Sequence, residues 1–87
     1  MFYVYVLHSE KDGLFYTGAT GDLKARLQEH ESGRVQATRY RLPVRLVYYE
    51  AGLSQADAFQ REKYLKSGPG KRYLKNRLKE YLASLTG

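Results

Sequence analysis

The chain has no cysteine, no tryptophan and a single methionine among its 87 residues. Lacking thiols, it can use neither disulfides nor thiolate-bound metal to hold its fold, and the composition agrees with a reducing compartment. Long apolar runs are missing too. The segment FYVYVL at residues 2–7 is among the longest, and it falls far short of a membrane span. A strand-like run begins at once, without the basic leader of a signal peptide, so a soluble cytoplasmic protein with no membrane partner is expected. No repeat, low-complexity tract or interdomain linker interrupts the sequence. Residues 1–87 read as one domain, with a core adequate for two layers and too small for a second lobe.

Acidic residues are scarce in the second half. Residues 1–33 carry three basic and five acidic side chains, net −2, and residues 34–87 carry twelve and four, net +8, for a total of +6. A basic half on a small domain points to a polyanion partner, nucleic acid first. A solvated, lysine-rich surface would explain the charge alone equally well. The nine tyrosines hint at base stacking, although most tyrosines in so small a domain serve the core or its rim.

Residues 2–8 (FYVYVLH) are apolar or aromatic on both alternating faces, the pattern of a strand covered on both sides. SEKDG at 9–13 reads as a turn, with Asp12-Gly13 as the hairpin signal, and LFYTGA at 14–19 returns antiparallel. That hairpin brings Tyr5 near Tyr16. Thr20 is the expected N-cap of a helix with Asp22 in its first turn, Leu23 and Leu27 as its stripe, and Gly33 as its stop. Residues 33–43 (GRVQATRYRLP) are polar and basic and read as a loop. VRLVYYE at 44–50 is a third strand, expected to put Val44, Leu46 and Tyr48 on one face. Ser54 and Asp57 resemble a capping box before a helix whose buried side is marked by Ala58, Phe59 and Leu65. SGPG at 67–70 ends that helix and starts another, with Leu74, Leu78, Tyr81, Leu82 and Leu85 as its stripe. The order β-β-α-β-α-α gives an α+β fold, a small antiparallel sheet with helices packed on it.

Glu62 is the residue most in need of explanation. It lies four after Ala58 and three before Leu65, among the apolar positions of its helix. An unpaired buried carboxylate costs several kcal/mol, so it needs a partner, a proton or a metal. An edge glutamate bending to solvent, or pairing with Arg26, is the plain alternative. Magnesium commonly takes one or two carboxylates and keeps its waters, so a lone glutamate suits a one-metal site. Arg26 offers a planar, permanently charged fork for a phosphate. His30, one turn later, could pass a proton or bind a phosphate oxygen. Tyr5 and Tyr16 would by default be packing aromatics. A phenol with a pKa of about 10 is a poor base unless a cation and an arginine lower it. Gly18 would let another group approach the backbone, and Thr38 and Arg39 in the basic loop could contact phosphate.

These residues carry a resemblance. YVY at 3–5, key tyrosines eleven positions apart, YTG at 16–18, DLKARLQEH at 22–30 and REKYLK at 61–66 together resemble the GIY-YIG nuclease superfamily, and within it the small, uncharacterised single-domain bacterial members. The similarity covers nearly the whole chain. It implies a three-stranded antiparallel sheet flanked by helices and a magnesium- or manganese-dependent endonuclease, a hydrolase acting on DNA, with repair or recombination as its setting. Relatives include the incision subunit of bacterial nucleotide excision repair, phage homing endonucleases and some restriction enzymes. Carried over, Tyr5 matches the first motif, Tyr16 and Gly18 the second, Arg26 the family arginine, His30 the histidine-or-tyrosine position, and Glu62 the metal ligand. Lys63, beside that glutamate, joins Gly18, Thr38 and Arg39 as a nucleic-acid contact. Tyr3 and Val4 stand where the family name has glycine and isoleucine, Thr17 replaces isoleucine, and Ala19 stands where some relatives have lysine. Several relatives use an asparagine on the last helix; Asn76 has about the right separation from Glu62 but lies roughly opposite the Leu74–Leu78 stripe.

The expected mechanism follows from the resemblance. Glu62 holds one cation, Arg26 neutralises the scissile phosphate, Tyr5 or Tyr16 prepares a water, and His30 assists proton traffic. A non-catalytic nucleic-acid-binding or interaction module on the same scaffold is the alternative, but it has no evident need for all five residues together. Cutting both strands with one site would call for a homodimer, a protein partner or successive nicks.

Overall fold

The first strand sits in the middle of the sheet. In the computed structural model, which describes residues 1–86, β1 (Phe2–Ser9) pairs antiparallel with β2 (Phe15–Thr20) on one side and β3 (Val44–Gly52) on the other, in the order β2-β1-β3. The expected covering of both faces is found: every residue from Val4 to Ser9 is buried. Between β1 and β2 the turn is held by Ser9 Oγ, which accepts from the amides of Lys11 and Asp12, and by Asp12 Oδ1, which accepts from Leu14.

Alternation along β1 sorts its side chains into two layers. Val4 and Val6 form the core with Ala58 and Leu65 of α2 (Gln55–Lys66) and Leu74 of α3 (Gly68–Arg77). Burying a leucine such as Leu65 or Leu74 contributes about 1.5–3 kcal/mol. Tyr5 and Leu7, one residue out of phase, face the other layer, where His30 of α1 (Leu23–Glu31) meets Tyr5. Ser54 caps α2 by accepting from Asp57 N, as its spacing predicts.

Four expectations are corrected. The N-cap of α1 is Asp22, whose carboxylate accepts from Ala25 N; Thr20 stands two residues earlier and receives the Asp22 amide. Leu46 and Tyr48 do not share a face. Leu7 pairs with Leu46 but Val6 pairs with Tyr48, so a bulge at Val47 inserts one residue and turns Tyr48 towards the core. Phe59 is 54% exposed, and the buried residues of α2 are Ala58 and Leu65. The last stripe is split by Leu78, which ends α3 and precedes a short α4 (Lys79–Ser84), leaving Leu85 exposed. A side-chain link nevertheless ties α4 to the sheet, with His8 Nδ1 2.8 Å from the Tyr81 hydroxyl.

Candidate active site

Pairing of Tyr5 with Gly18 and of Leu7 with Tyr16 puts the two phenols diagonally across the hairpin on one face. Their ring centroids are 6.4 Å apart. Above them runs α1, and its stop at Ser32 and Gly33, with Gly33 at φ +78°, turns the chain back over the sheet. His30 therefore faces inward. It is the only fully buried residue of α1, more enclosed than Leu23 and Leu27, which form the expected stripe.

Four side chains form one hydrogen-bonded group. Tyr5 Oη lies 2.8 Å from His30 Nε2, Arg26 Nε donates to the same phenol oxygen at 3.4 Å, and His30 Nδ1 lies 2.7 Å from Thr38 Oγ1. Tyr5 is 1% exposed and His30 is 0% exposed. Polar groups so enclosed must be paired, and no buried polar side-chain atom among the described residues lacks a partner. Tyr16 joins by ring contact: its centroid is 5.2 Å from that of His30, edge to face. Half-buried, it lines a groove of about 220 Å³ with Phe15, Thr17, Lys66 and Lys71.

Burial pushes the Tyr5 phenol above its ordinary pKa, and the opposing hydrogen bond from Arg26 does not cancel it. Arg26 alone therefore does not lower the Tyr5 phenol below its ordinary value. Burial, and then the Arg26 charge, lower the His30 pKa. Near neutral pH the pair is a protonated phenol beside a neutral imidazole.

Glu62 stands outside this group. Its carboxylate pairs with Lys66 Nζ at 2.7 Å, and its side chain is 22% exposed. Its charge nevertheless acts on the Tyr5 phenol, as the weakest of several influences there. No cluster of three acidic or histidine side chains suited to a metal occurs among the described residues. The carboxylate whose charge reaches Tyr5 is that of Glu62, and a single carboxylate fits a hard cation that keeps most of its waters.

Comparison with known proteins decides the family. The sequence model of the GIY-YIG catalytic domain matches residues 1–75. The chain belongs to the GIY-YIG family. This domain is also similar to a UPF0213 protein of Streptococcus agalactiae serotype V, with 46% identity over 65 residues, covering 74% of this chain and 73% of the relative. A UPF0213 protein of Streptococcus pyogenes serotype M5 is 48% identical over 65 residues, covering 74% and 70%. The solution NMR structure of a UPF0213 protein from Bacillus halodurans is 39% identical, with a TM-score of 0.47, covering 100% of this chain and 87% of that one. The family match stops before α4.

Among the residues that the GIY-YIG resemblance singles out, Tyr5, Tyr16, Arg26 and His30 are gathered together, and Glu62 lies within electrostatic reach. Two of the expected nucleic-acid contacts are corrected. Thr38 is completely buried with its hydroxyl against His30, so it does not face a phosphate. At Gly18 the approaching group is Tyr5: a Cβ there would lie 2.5 Å from Tyr5 Oη. Arg39 and Lys63 are exposed, Arg39 with its guanidinium 4.9 Å from the Tyr40 ring. Asn76 is exposed on α3. The role of Thr38 has no local signal in the sequence, since a threonine in a polar loop reads as solvated.

Proposed function

We propose that this GIY-YIG domain is an endonuclease that hydrolyses phosphodiester bonds of nucleic acid, DNA first, with magnesium or manganese held on Glu62. The observation that carries this reading is the Tyr5–His30–Arg26 group, hydrogen-bonded and neutral at its centre, set beside a second, half-buried phenol, Tyr16. Packing alone would not require a guanidinium, an imidazole and two phenols at one point.

Arg26 is the phosphate ligand. Its Nε is committed to Tyr5, which orients the rest of the fork, and its charge persists at any working pH. Tyr16 is the phenol that meets the attacking water, because Tyr5 is enclosed and bonded on both sides. Tyr16 orients that water for attack, close enough to Arg26 for the two groups to interact electrostatically. Tyr5 and His30 hold the arginine in place. Glu62, released from Lys66, would hold the cation, which would supply Lewis-acid charge at a phosphate oxygen. Exposed cations such as Lys63 and Arg39 add sequence-independent affinity for the backbone.

The test is incubation with supercoiled plasmid and with duplex, branched and single-stranded oligonucleotides, with magnesium, with manganese and with chelator. Cation-dependent nicking that falls by at least about a hundredfold in Glu62→Gln and in Arg26→Ala is the expected result. Salt-sensitive binding without cuts under every condition would overturn the enzymatic reading.

A further inference from the structure

The loop expected to reach for phosphate does something else. Thr38 is fully buried, its hydroxyl 2.7 Å from His30 Nδ1, and the segment carrying it is fastened rather than loose. Arg41 donates to Asp12 Oδ2 at 2.7 Å and to the carbonyl oxygens of Leu14 and Phe15, and the Arg41 carbonyl accepts from Ser9 Oγ at 2.6 Å. Arg41 N in turn donates to the Thr38 carbonyl. The C-terminal end of the threonine's turn is thereby tied to the hairpin that supplies Tyr5 and Tyr16.

A neutral imidazole carries one N–H, on either nitrogen. Arg26 Nε already donates to the Tyr5 oxygen, so an N–H on Nε2 would aim a second donor at that same atom, next to a cation. A lone pair on Nε2 instead accepts the Tyr5 O–H and turns the negative end of the ring dipole towards Arg26. Donors and acceptors then alternate along the chain from Arg26 to Tyr5 to His30 to Thr38. That arrangement requires an acceptor at Nδ1, which is where Thr38 Oγ1 stands.

We infer that Thr38 is a positioning residue that fixes His30 as the Nδ1–H tautomer, leaving the Tyr5 oxygen free to orient Arg26. The inference rests on the nuclease reading only for its effect on rate; the tautomer itself is a property of the resting protein. Loss of Thr38 Oγ1 lets the proton move to Nε2, where it competes with Arg26 for the phenol oxygen and loosens the phosphate ligand.

The test is 15N NMR of the His30 ring near neutral pH in the wild type, in Thr38→Val, which keeps the shape, and in Thr38→Ser, which keeps the hydroxyl. Plasmid nicking is measured on the same three proteins. The wild type and Thr38→Ser should show a protonated Nδ1 and an unprotonated Nε2, and Thr38→Val should lose that preference. Nicking should fall on the order of ten- to a hundredfold in Thr38→Val, the range seen when a partner orienting a functional histidine is removed, and return in Thr38→Ser. A protonated Nε2 in the wild type overturns the assignment, and so does an unchanged tautomer in Thr38→Val. A wild type that does not nick DNA defeats the nuclease reading and leaves the NMR result to decide the tautomer.

Discussion

The Tyr5 ring lies directly over Gly18. A methyl group added there would come within 2.5 Å of the phenol oxygen and 2.6 Å of Cζ, closer than real Cβ contacts allow. The glycine of the second motif is thus the floor of the Tyr5 pocket. Gly18→Ala should drive the phenol off Arg26 and His30. A stability loss of about 1–3 kcal/mol, as for other overpacked sites, is expected in urea denaturation, with cleavage lost in parallel.

The two tyrosines should fail differently. Tyr5→Phe removes the partner of a buried imidazole nitrogen and should cost about 1–3 kcal/mol in stability besides reducing cleavage. Tyr16 stands outside the hydrogen-bonded chain and lines the groove, so Tyr16→Phe should leave the urea midpoint nearly unchanged while cleavage falls by at least about a hundredfold. Equal destabilisation by both substitutions would argue that Tyr16, too, is a packing residue.

Acid should act on the fold in two windows. His30 has a folded pKa below its ordinary 6.5, so the unfolded chain takes up protons first, and stability falls as pH drops below about 6.5. Urea denaturation at about pH 7.5 and pH 5 should show a larger loss for the wild type than for His30→Gln. Asp12 is different: its hydrogen bond with Arg41 lowers its pKa from 3.8 to about 2. Its contribution is present above the unfolded value and is lost as pH falls from 3.8 towards about 2, so Asp12→Asn should reduce the loss in that lower window, which Glu50 also feeds, and leave the upper one unchanged.

Affinity for nucleic acid should separate exposed cations from the buried threonine. With chelator present to prevent cutting, the slope of log K against log salt should become shallower by about 0.9 for each duplex phosphate contact removed. Lys63→Ala and Arg39→Ala, which delete exposed charges, should each reduce the slope, more than Thr38→Val, which removes no charge. Fluorescence anisotropy with a labelled oligonucleotide over a salt series measures this.

The hairpin, the helix bearing Arg26 and His30, and the three-stranded α+β layout are all readable from residue pattern, because each rests on local periodicity and turn chemistry. The bulge at Val47 is not: it depends on how β3 docks against β1, so strict alternation misassigns Tyr48. Phe59 looks like core in a helical stripe, yet a stripe shows only which residues could face inward, and the fold leaves it 54% exposed. The candidate site residues were likewise present in the chain order. Which phenol meets solvent, which ring nitrogen of His30 faces Thr38, and what fills the space above Gly18 were decided only by tertiary packing. The reason is physical. Local sequence sets dihedral preferences and spacing, but burial and hydrogen-bond partnership at this site come from segments 8, 21 and 25 positions apart that meet only when the sheet and α1 close on each other.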